Sequence, residues 1–576
     1  MIEIQRRPAG DTSGFSSQLP PLLQRIYAHR GIQSEQELER SAKGLLSYQA
    51  LHGIDDAIAL LLEALTAQQR IIVVGDFDAD GATSSALSVL ALRQLGSNNV
   101  DYLVPNRFED GYGLSPEVVE QAIAKGAEVI MTVDNGVSSL SGVAAAKAHG
   151  LKVLITDHHL PGESLPDADA IVNPNLHECD FPSKALCGVG VAFYLMLALR
   201  AELRQRNWFK EQGIAEPNLA NLLDLVALGT VADVVALDGN NRILVHQGLQ
   251  RIRAGQCRPG IQALIEVANR DQSRLVTSDL GFALGPRINA AGRLEDMSHG
   301  VELLMCEEIN LARQLASELD GLNQTRKEIE QGMKEEAVAI CERLQLGEEM
   351  PCGIVLHQSD WHQGVIGILA SRIKDQYHRP VIAFADGGDG LIKGSCRSIP
   401  GLHMRDILDL IDTQNPGMIL KFGGHAMAAG LTIPRDKLHA FSAAFDSAVR
   451  QEVDEASLRG VILSDGELAG HELTLQTAEM LRQAGPWGQA FPEPIFDGEF
   501  RVLQQRLVGG KHLKLMLEPL SQGGAGQMID AIAFNVDLRR WPDASVTRIQ
   551  LAYRLDINIF RGNESVQLMV EHIEPC

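Results

Sequence analysis

Between residues 71 and 172, five short apolar runs, at 71–74, 102–104, 129–133, 151–155 and 170–172, alternate with stretches of helical periodicity. Strands separated by helices of this length join one sheet through right-handed crossovers, so the runs predict βαβ units and a parallel sheet. In an open sheet of that kind, the residues just past the strands gather along the carboxyl edge, where ligands bind. Polar or acidic side chains follow several runs closely: Asp76, Asn106, Asp134 and Asp157. The first run leads into Gly75-Asp76-Phe77-Asp78-Ala79-Asp80-Gly81-Ala82-Thr83, three carboxylates and a glycine turn ahead of a helical pattern. Acids this crowded repel one another unless a cation sits among them.

A chain of 576 residues with 45% hydrophobic content holds several ordinary cores. Residues 1–65 carry helical periodicity broken by Pro20-Pro21 and Gly31, hold no cluster of reactive side chains, and read as a helical lead. The parallel-sheet domain is expected at 66–305, a connecting helix at 306–347, a second α/β lobe at 348–454 and a β-rich barrel at 455–576. The fold class is therefore α/β, two lobes joined by a long helix and followed by a barrel. Within the largely helical region 185–300, Asp233 stands alone in the apolar run 228–235. The segment 285–293 is too rich in glycine and proline for a plain helix, and it carries Arg287, Asn289 and Arg293. Residues 213–218 read as a mobile linker. The charged helical stretch 309–344 extends about 50 Å at 1.5 Å per residue. The second lobe has apolar runs at 354–356 and 381–385 and two glycine-containing motifs, Gly394-Ser395-Cys396-Arg397-Ser398 and Phe422-Gly423-Gly424-His425. In the tail, residues 550–560 and 565–572 alternate apolar and polar about the turn Arg561-Gly562-Asn563-Glu564.

The formal charge, 51 basic against 74 acidic side chains, is −23. That sign excludes broad non-specific coating of nucleic acid and leaves room for a narrow groove with placed arginines. Eight cysteines without a C-x-x-C pair exclude a disulfide framework or zinc ribbon and predict reduced, packed thiols. With no signal peptide and no bilayer-spanning run, a cytoplasmic protein without membrane contact is expected. Against the acidic trend, Arg501, Arg506, Lys511, His512 and Lys514 cluster around Gly509-Gly510. A barrel with such a hairpin tracks a phosphate backbone, with Phe500 or Trp487 as stacking partners.

Asp76, Asp78, Asp80, Asp134, His158 and Asp233 form a set of carboxylates with one imidazole, a combination that suits Mn²⁺ or Mg²⁺. This many anionic ligands hold two ions about 3.5–4 Å apart, the spacing at which the attacking water and leaving oxygen of a phosphodiester are both stabilised. Asp134 is the candidate bridge, and Asp157 the brace that orients the imidazole. Taken singly, an aspartate after a strand is an ordinary helix N-cap and a His-His pair is ordinary packing. Their joint placement at strand ends is what carries the reading.

With Asp134-Asn135-Gly136, Asp157-His158-His159 and Ala232-Asp233-Val234-Val235, the opening motif resembles the DHH phosphoesterase superfamily, and Gly423-Gly424-His425 resembles its companion DHHA1 domain. Val104-Pro105-Asn106-Arg107-Phe108-Glu109-Asp110-Gly111-Tyr112-Gly113 and the segment 285–293 are similar, more narrowly, to the bacterial single-strand-specific DNA exonucleases of that superfamily. The likeness extends over nearly the whole chain, including the tail, which the family folds as an OB domain. It implies hydrolysis of single-stranded DNA from the 5′ end to nucleoside 5′-monophosphates, with Mn²⁺ or Mg²⁺, in DNA repair and recombination. It implies metal ligation by the six residues above, His159 near the scissile phosphate, the terminal 5′ phosphate on Arg107, Ser395 and Arg397, and His425 on the substrate path. Arg287, Asn289 and Arg293 are assigned to the strand's backbone. Many small-substrate members carry a histidine four residues before the first aspartate, where Ile72 stands here, so the division of labour among Asp76, Asp78 and Asp80 stays open. Two other functions are compatible with the first lobes: a phosphodiesterase for short oligonucleotides or cyclic dinucleotides, and a non-catalytic replication scaffold. The long helix and the tail disfavour the former, and the fully occupied ligand positions disfavour the latter. A single-strand-binding protein and a helicase are the expected partners, because such a nuclease needs an unwound end.

Overall fold

The computed structural model describes residues 2–107, 109–347, 350–454 and 457–576. Phe108 and positions 348 and 455, where two of the expected segments begin, lie outside the described residues. By contact the chain divides more coarsely than the five expected segments, into one unit of residues 6–322 with 464–576 and a second of 1–5 with 323–463.

The first unit is built on five parallel strands, Ile71–Val74, Val100–Leu103, Val129–Val133, Lys152–Thr156 and Ala170–Val172. In the sheet their order is second, first, third, fourth, fifth. The chain runs outward from the first strand to the second, then returns past it to the third. The carboxyl ends of Ile71–Val74 and Val129–Val133 therefore flank the switch point at which open sheets bind ligands. Successive side chains of these strands enter opposite cores, as a pleated strand buried on both faces requires. Ile71, Val73, Val129 and Met131 pack with helices Ala79–Gln94 and Gly188–Gln205. Ile72, Val74 and Ile130 pack with Pro116–Ala124 and Leu140–Ala148. Ile72 is thus a fully buried aliphatic core residue.

Three sequence expectations are corrected here. The segment 285–293 is helical after all, within Gly285–Leu294, and continues directly from a π-helical turn, Leu280–Leu284. Pro286 lies in the first turn, where its missing N–H breaks no bond. Gly292 permits close approach, since a Cβ there would lie 1.9 Å from the Phe77 carbonyl oxygen. The lead opens with a strand, Ile2–Arg6, paired with Gly460–Ser464, which helical periodicity in residues 1–65 did not suggest. The segment 213–218 is tied by side chains: Glu216 pairs with Arg200 and Arg204, and the Pro217 carbonyl accepts from Arg200 at 3.2 Å.

Strands Phe496–Val508, His512–Pro519, Ile529–Ala533, Arg548–Phe560 and Asn563–Pro575 close a barrel. The last two meet at Arg561 and Gly562, whose φ values of 52° and 80° place both in the left-handed region favoured by tight hairpins. The barrel shares its hydrophobic core with the parallel-sheet region and the lead. Trp487, 9% exposed, stacks on Phe491 and Tyr27 with ring centroids 5.1 and 6.1 Å away, and Phe500 is 2% exposed. Neither ring presents a face to a base. The aromatics that do stand out from the barrel are Phe534, 51% exposed beside His512, and Phe560, 63% exposed.

In the second unit, Ile354–His357, Val381–Gly388, Leu391–Arg397, Ala428–Pro434 and Lys421–Gly424 form a mostly antiparallel sheet with one parallel pair. Helix Ile309–Gly347, 39 residues and about 58 Å long, starts in the first unit and ends in the second. All eight cysteines are free thiols and most are buried. Among the described residues no helix is long and apolar enough to cross a membrane. Replacing Trp487 by alanine removes the stack that joins lead and barrel, and is expected to lower the unfolding free energy by about 3–5 kcal/mol in urea titrations. A loss below about 1 kcal/mol would contradict this packing.

Candidate metal centre

Past the first strand, Asp78 caps helix Ala79–Gln94, its Oδ1 accepting the Asp80 and Gly81 N–H groups at 2.9 and 3.0 Å. Asp76 Oδ1 accepts the Phe77 N–H at 2.7 Å. Asp80, in the first turn of that helix, is buried against a second helix start: its oxygens accept the Gly188 and Val189 N–H groups at 2.6 and 2.9 Å. Past the third strand, Asp134 takes φ 61° and is 1% exposed. Past the fourth, Asp157 Oδ1 accepts from the backbones of His158 and His159 and from His159 Nδ1 at 2.7 Å, while Oδ2 accepts the Val137 N–H. Asp233 ends helix Leu223–Ala232, with its neighbour Val234 at φ 61°, an unusual conformation for a β-branched residue.

These pieces converge. Asp134, His158 and His159 offer ligand atoms within 4.8 Å of one another; so do Asp80, His158 and Asp233, and so do Asp76, Asp78 and Asp134. His158 Nε2 lies 3.0 Å from Asp134 Oδ1 and 3.5 Å from Asp233 Oδ2, yet none of the three buried atoms makes a hydrogen bond. Buried polar atoms are otherwise almost always satisfied, so three facing one another mark the seat of a cation. His158 hydrogen-bonds the Leu186 backbone. Since Nε2 is unpartnered, Nδ1 makes that bond, the arrangement that holds a metal-binding imidazole in its neutral tautomer.

Electrostatics agree with the geometry. Burial, then the Asp78 charge, pushes Asp76 up to about 8, and the same causes push Asp80 up to about 7. Burial followed by neighbouring carboxylates holds Asp134 and Asp233 well above the usual carboxylate range. Burial and the charge of His159 lower His158 to about 4, leaving it a neutral ligand. For His159 burial opposes the charge, but the Asp157 hydrogen bond and the surrounding carboxylates outweigh it and raise the imidazole to about 9. The metal-free centre thus favours the protonated form of His159. The donor set, oxygen-rich with neutral imidazole, fits Mn²⁺ or Mg²⁺.

Arg107 lies over the Phe77 ring, 4.1 Å from its centroid, with a buried Nε that has no hydrogen-bond partner; burial lowers its pKa, opposed in part by the charges of Asp76 and Asp78. Asn289 Oδ1 accepts the Ala79 N–H at 2.8 Å, which supports the aspartate-bearing helix. Arg287 is buried, its Nε 2.9 Å from Asp320 and its Nη1 donating to the Ala283 carbonyl. Arg293 is half-buried on the same helix. In the second unit, Arg397 Nη1 donates to Ser395 Oγ at 3.2 Å. A Cβ on Gly367, at the start of helix Ile366–Tyr377, would lie 3.0 Å from both side chains, so they sit over a helix N-terminus in a cradle that suits an anion. His425 is exposed at the turn of its hairpin.

Several residues at the centre carried no sequence expectation. Asn173 and Asn175 donate from Nδ2 to the carbonyls of His159 and His158 at 2.8 and 2.5 Å. They directly follow the fifth strand, so the strand-end rule that picked out the other residues applies to them as well. The Tyr112 hydroxyl lies 3.3 Å from His159 Nε2. The segment 186–189 touches several ligands, and its only sequence signal is the pair Gly188 and Gly190.

Residues 70–230 match the DHH family N-terminal domain, 350–451 the DHHA1 domain and 464–572 the RecJ OB domain. The chain is 64% identical over 576 residues to the single-stranded-DNA-specific exonuclease RecJ of Dickeya dadantii, covering 100% of this chain and 99% of the relative. Against the Escherichia coli RecJ it is 62% identical over 575 residues, with the same coverage. A crystal structure of Thermus thermophilus RecJ in complex with Mn²⁺ superposes with a TM-score of 0.80 at 28% identity, covering 100% of this chain and 79% of that one. Its Mg²⁺ complex gives 0.74 at 27% identity, with 100% and 78% covered.

A carboxyl raised from 3.8 to about 8 keeps its proton in the folded, metal-free protein and loses it on unfolding. Its contribution therefore destabilises progressively from about pH 4 and fully above about pH 8. Metal-free Asp76→Asn is expected to melt above wild type at about pH 8.5 and level with it near pH 4, while binding Mn²⁺ at least about tenfold more weakly. Equal melting temperatures at both pH values would contradict the buried-charge account.

Proposed function

The chain belongs to the RecJ family of single-stranded-DNA-specific exonucleases, and from that premise we propose how its own residues carry out 5′→3′ hydrolysis of single-stranded DNA to nucleoside 5′-monophosphates. The observation that carries the reading is the meeting of Asp134 Oδ1, His158 Nε2 and Asp233 Oδ2, three buried acceptor atoms without partners. Asp76, Asp78, Asp80, Asp134, His158 and Asp233 would hold Mn²⁺ or Mg²⁺, with Asp134, common to two of the ligand groupings, as the bridge. When bound, a pair of such ions supplies a water ionised near neutral pH and neutralises charge on the phosphodiester.

The remaining roles belong to the chain. Asp157 fixes both histidines through three of its four acceptor contacts, and protonated His159 meets the scissile phosphate with a positive charge and a proton available to the leaving oxygen. Arg107, pre-oriented on Phe77, offers its guanidinium fork to phosphate. Ser395 and Arg397 are assigned to the terminal 5′ phosphate and His425, Arg287, Asn289 and Arg293 to the strand. On the barrel, the basic hairpin and the exposed Phe534 take the stacking role that buried Phe500 and Trp487 do not fill. We further propose a role in DNA repair and recombination in the cytoplasm, where the DNA is, with single-strand-binding protein and a helicase as partners supplying the unwound end. The short-oligonucleotide and scaffold readings are set aside, since every ligand position is occupied and the full-length relatives are exonucleases.

With Mn²⁺, the protein is expected to release mononucleotides from a 5′-phosphorylated single strand and to leave a blunt duplex intact. Asp134→Ala should abolish release without unfolding the chain; full activity in that variant would overturn the metal assignment. Arg397→Ala should raise KM for phosphorylated ends by about 10–100-fold, the worth of a charged hydrogen bond, and leave ends bearing a 5′ hydroxyl little changed. Equal losses on both ends would remove Arg397 from the terminal phosphate.

A further inference from the structure

Asp134 is an L-residue held at φ 61°, a conformation that persists only where its surroundings enforce it. What lies against it is the start of helix Gly188–Gln205. A Cβ added to Gly188 would fall 2.4 Å from Asp134 Cβ and 2.8 Å from its Cα, closer than any packing allows. The same few residues reach the other ligands. The Leu186 backbone holds His158. Cys187 Sγ lies 3.2 Å from Thr230 Oγ1, on the helix whose next residues lead to Asp233. The N–H groups of Gly188 and Val189 take both oxygens of Asp80. One segment of four residues thus braces ligands that arrive from four separate parts of the chain.

We propose that Gly188 is a positioning residue of the metal centre: the absence of a side chain there lets the helix start press on Asp134 and fix its carboxylate relative to Asp80, His158 and Asp233. This rests on the metal-centre reading above and adds what sets the ligand spacing. Any Cβ at 188 must drive Asp134 outward by about 1 Å, twice the roughly 0.5 Å within which a designed constellation must be held. Gly190, two residues along the same helix and also buried, is the natural control, since the tightest contact of a Cβ there is the flexible end of the Leu186 side chain at 3.0 Å, with Cys187 Sγ at an ordinary 3.7 Å.

Purified Gly188→Ala and Gly190→Ala proteins would be titrated with Mn²⁺ without DNA, counting free ion by electron paramagnetic resonance, and melted in the metal-free state. Gly188→Ala is expected to melt within a few degrees of wild type and to bind Mn²⁺ at least about tenfold more weakly, while Gly190→Ala binds as wild type. Wild-type Mn²⁺ affinity in Gly188→Ala, or an equal loss in Gly190→Ala, would overturn the proposal. If Gly188→Ala does not fold, the pair Asp134→Gly with Gly188→Ala decides it. Glycine accepts the left-handed conformation at 134 and removes the contacts to Cβ and Cγ at 2.4 and 2.8 Å, leaving only the Cα at 2.8 Å, so a gain in folded protein over Gly188→Ala alone supports the contact and no gain overturns it. Because the titration contains no DNA, a protein that binds Mn²⁺ normally yet digests no strand would sink the nuclease reading and leave this inference standing.

Discussion

Crowded negative charge at the carboxyl edge of the parallel sheet is the constraint that the first unit answers at every level. Each acid that the backbone is able to satisfy, it satisfies. Asp78 caps its own helix, Asp80 receives two N–H groups from another, and Asp157 collects four donors. Asp157 consequently stays below the usual carboxylate range despite complete burial, whereas Asp134 and Asp233, lacking such donors, are pushed far above it. The difference separates Asp157, which the protein neutralises, from Asp134 and Asp233, which are left for an ion. A net charge of −23 is compatible with an anionic substrate, because positive groups stand beside the acids locally, His159 against Asp157 and Arg107 over Phe77.

Much of this was legible in the sequence for a definite reason. Strands buried on both faces read as continuous apolar runs, so all five were found to within two residues at either end, and the polar residues after four of them marked the sheet edge. The six ligand candidates stand at those edges or at a helix end, where one-dimensional patterning still carries positional meaning. The barrel likewise declared itself through alternation and its turn.

What escaped depended on contacts between distant segments. Gly188 matters through Asp134, 54 positions away, and only the folded chain shows that a side chain there has no room. Trp487 and Phe500 looked like stacking surfaces because aromatics near basic residues often are, yet Tyr27 and Phe491 had already claimed one ring and the barrel core the other. The segment 285–293 was misread from its composition: proline in a first helical turn and glycine at a close approach break no rule once the neighbours are known.

The stack of Tyr27 on Trp487 has a consequence for how the molecule comes into being. The two rings are separated by 460 positions, so a growing chain emits the lead and the whole parallel sheet before the residue that covers them exists. At about 5–20 residues per second, this surface waits on the order of half a minute or more. Apolar side chains of the lead such as Leu23 and Ile26 lack this cover over that interval, and the first core is completed only after the segment carrying Trp487 has emerged. Burial of the lead is therefore a late, long-range closure, made across 460 positions of chain.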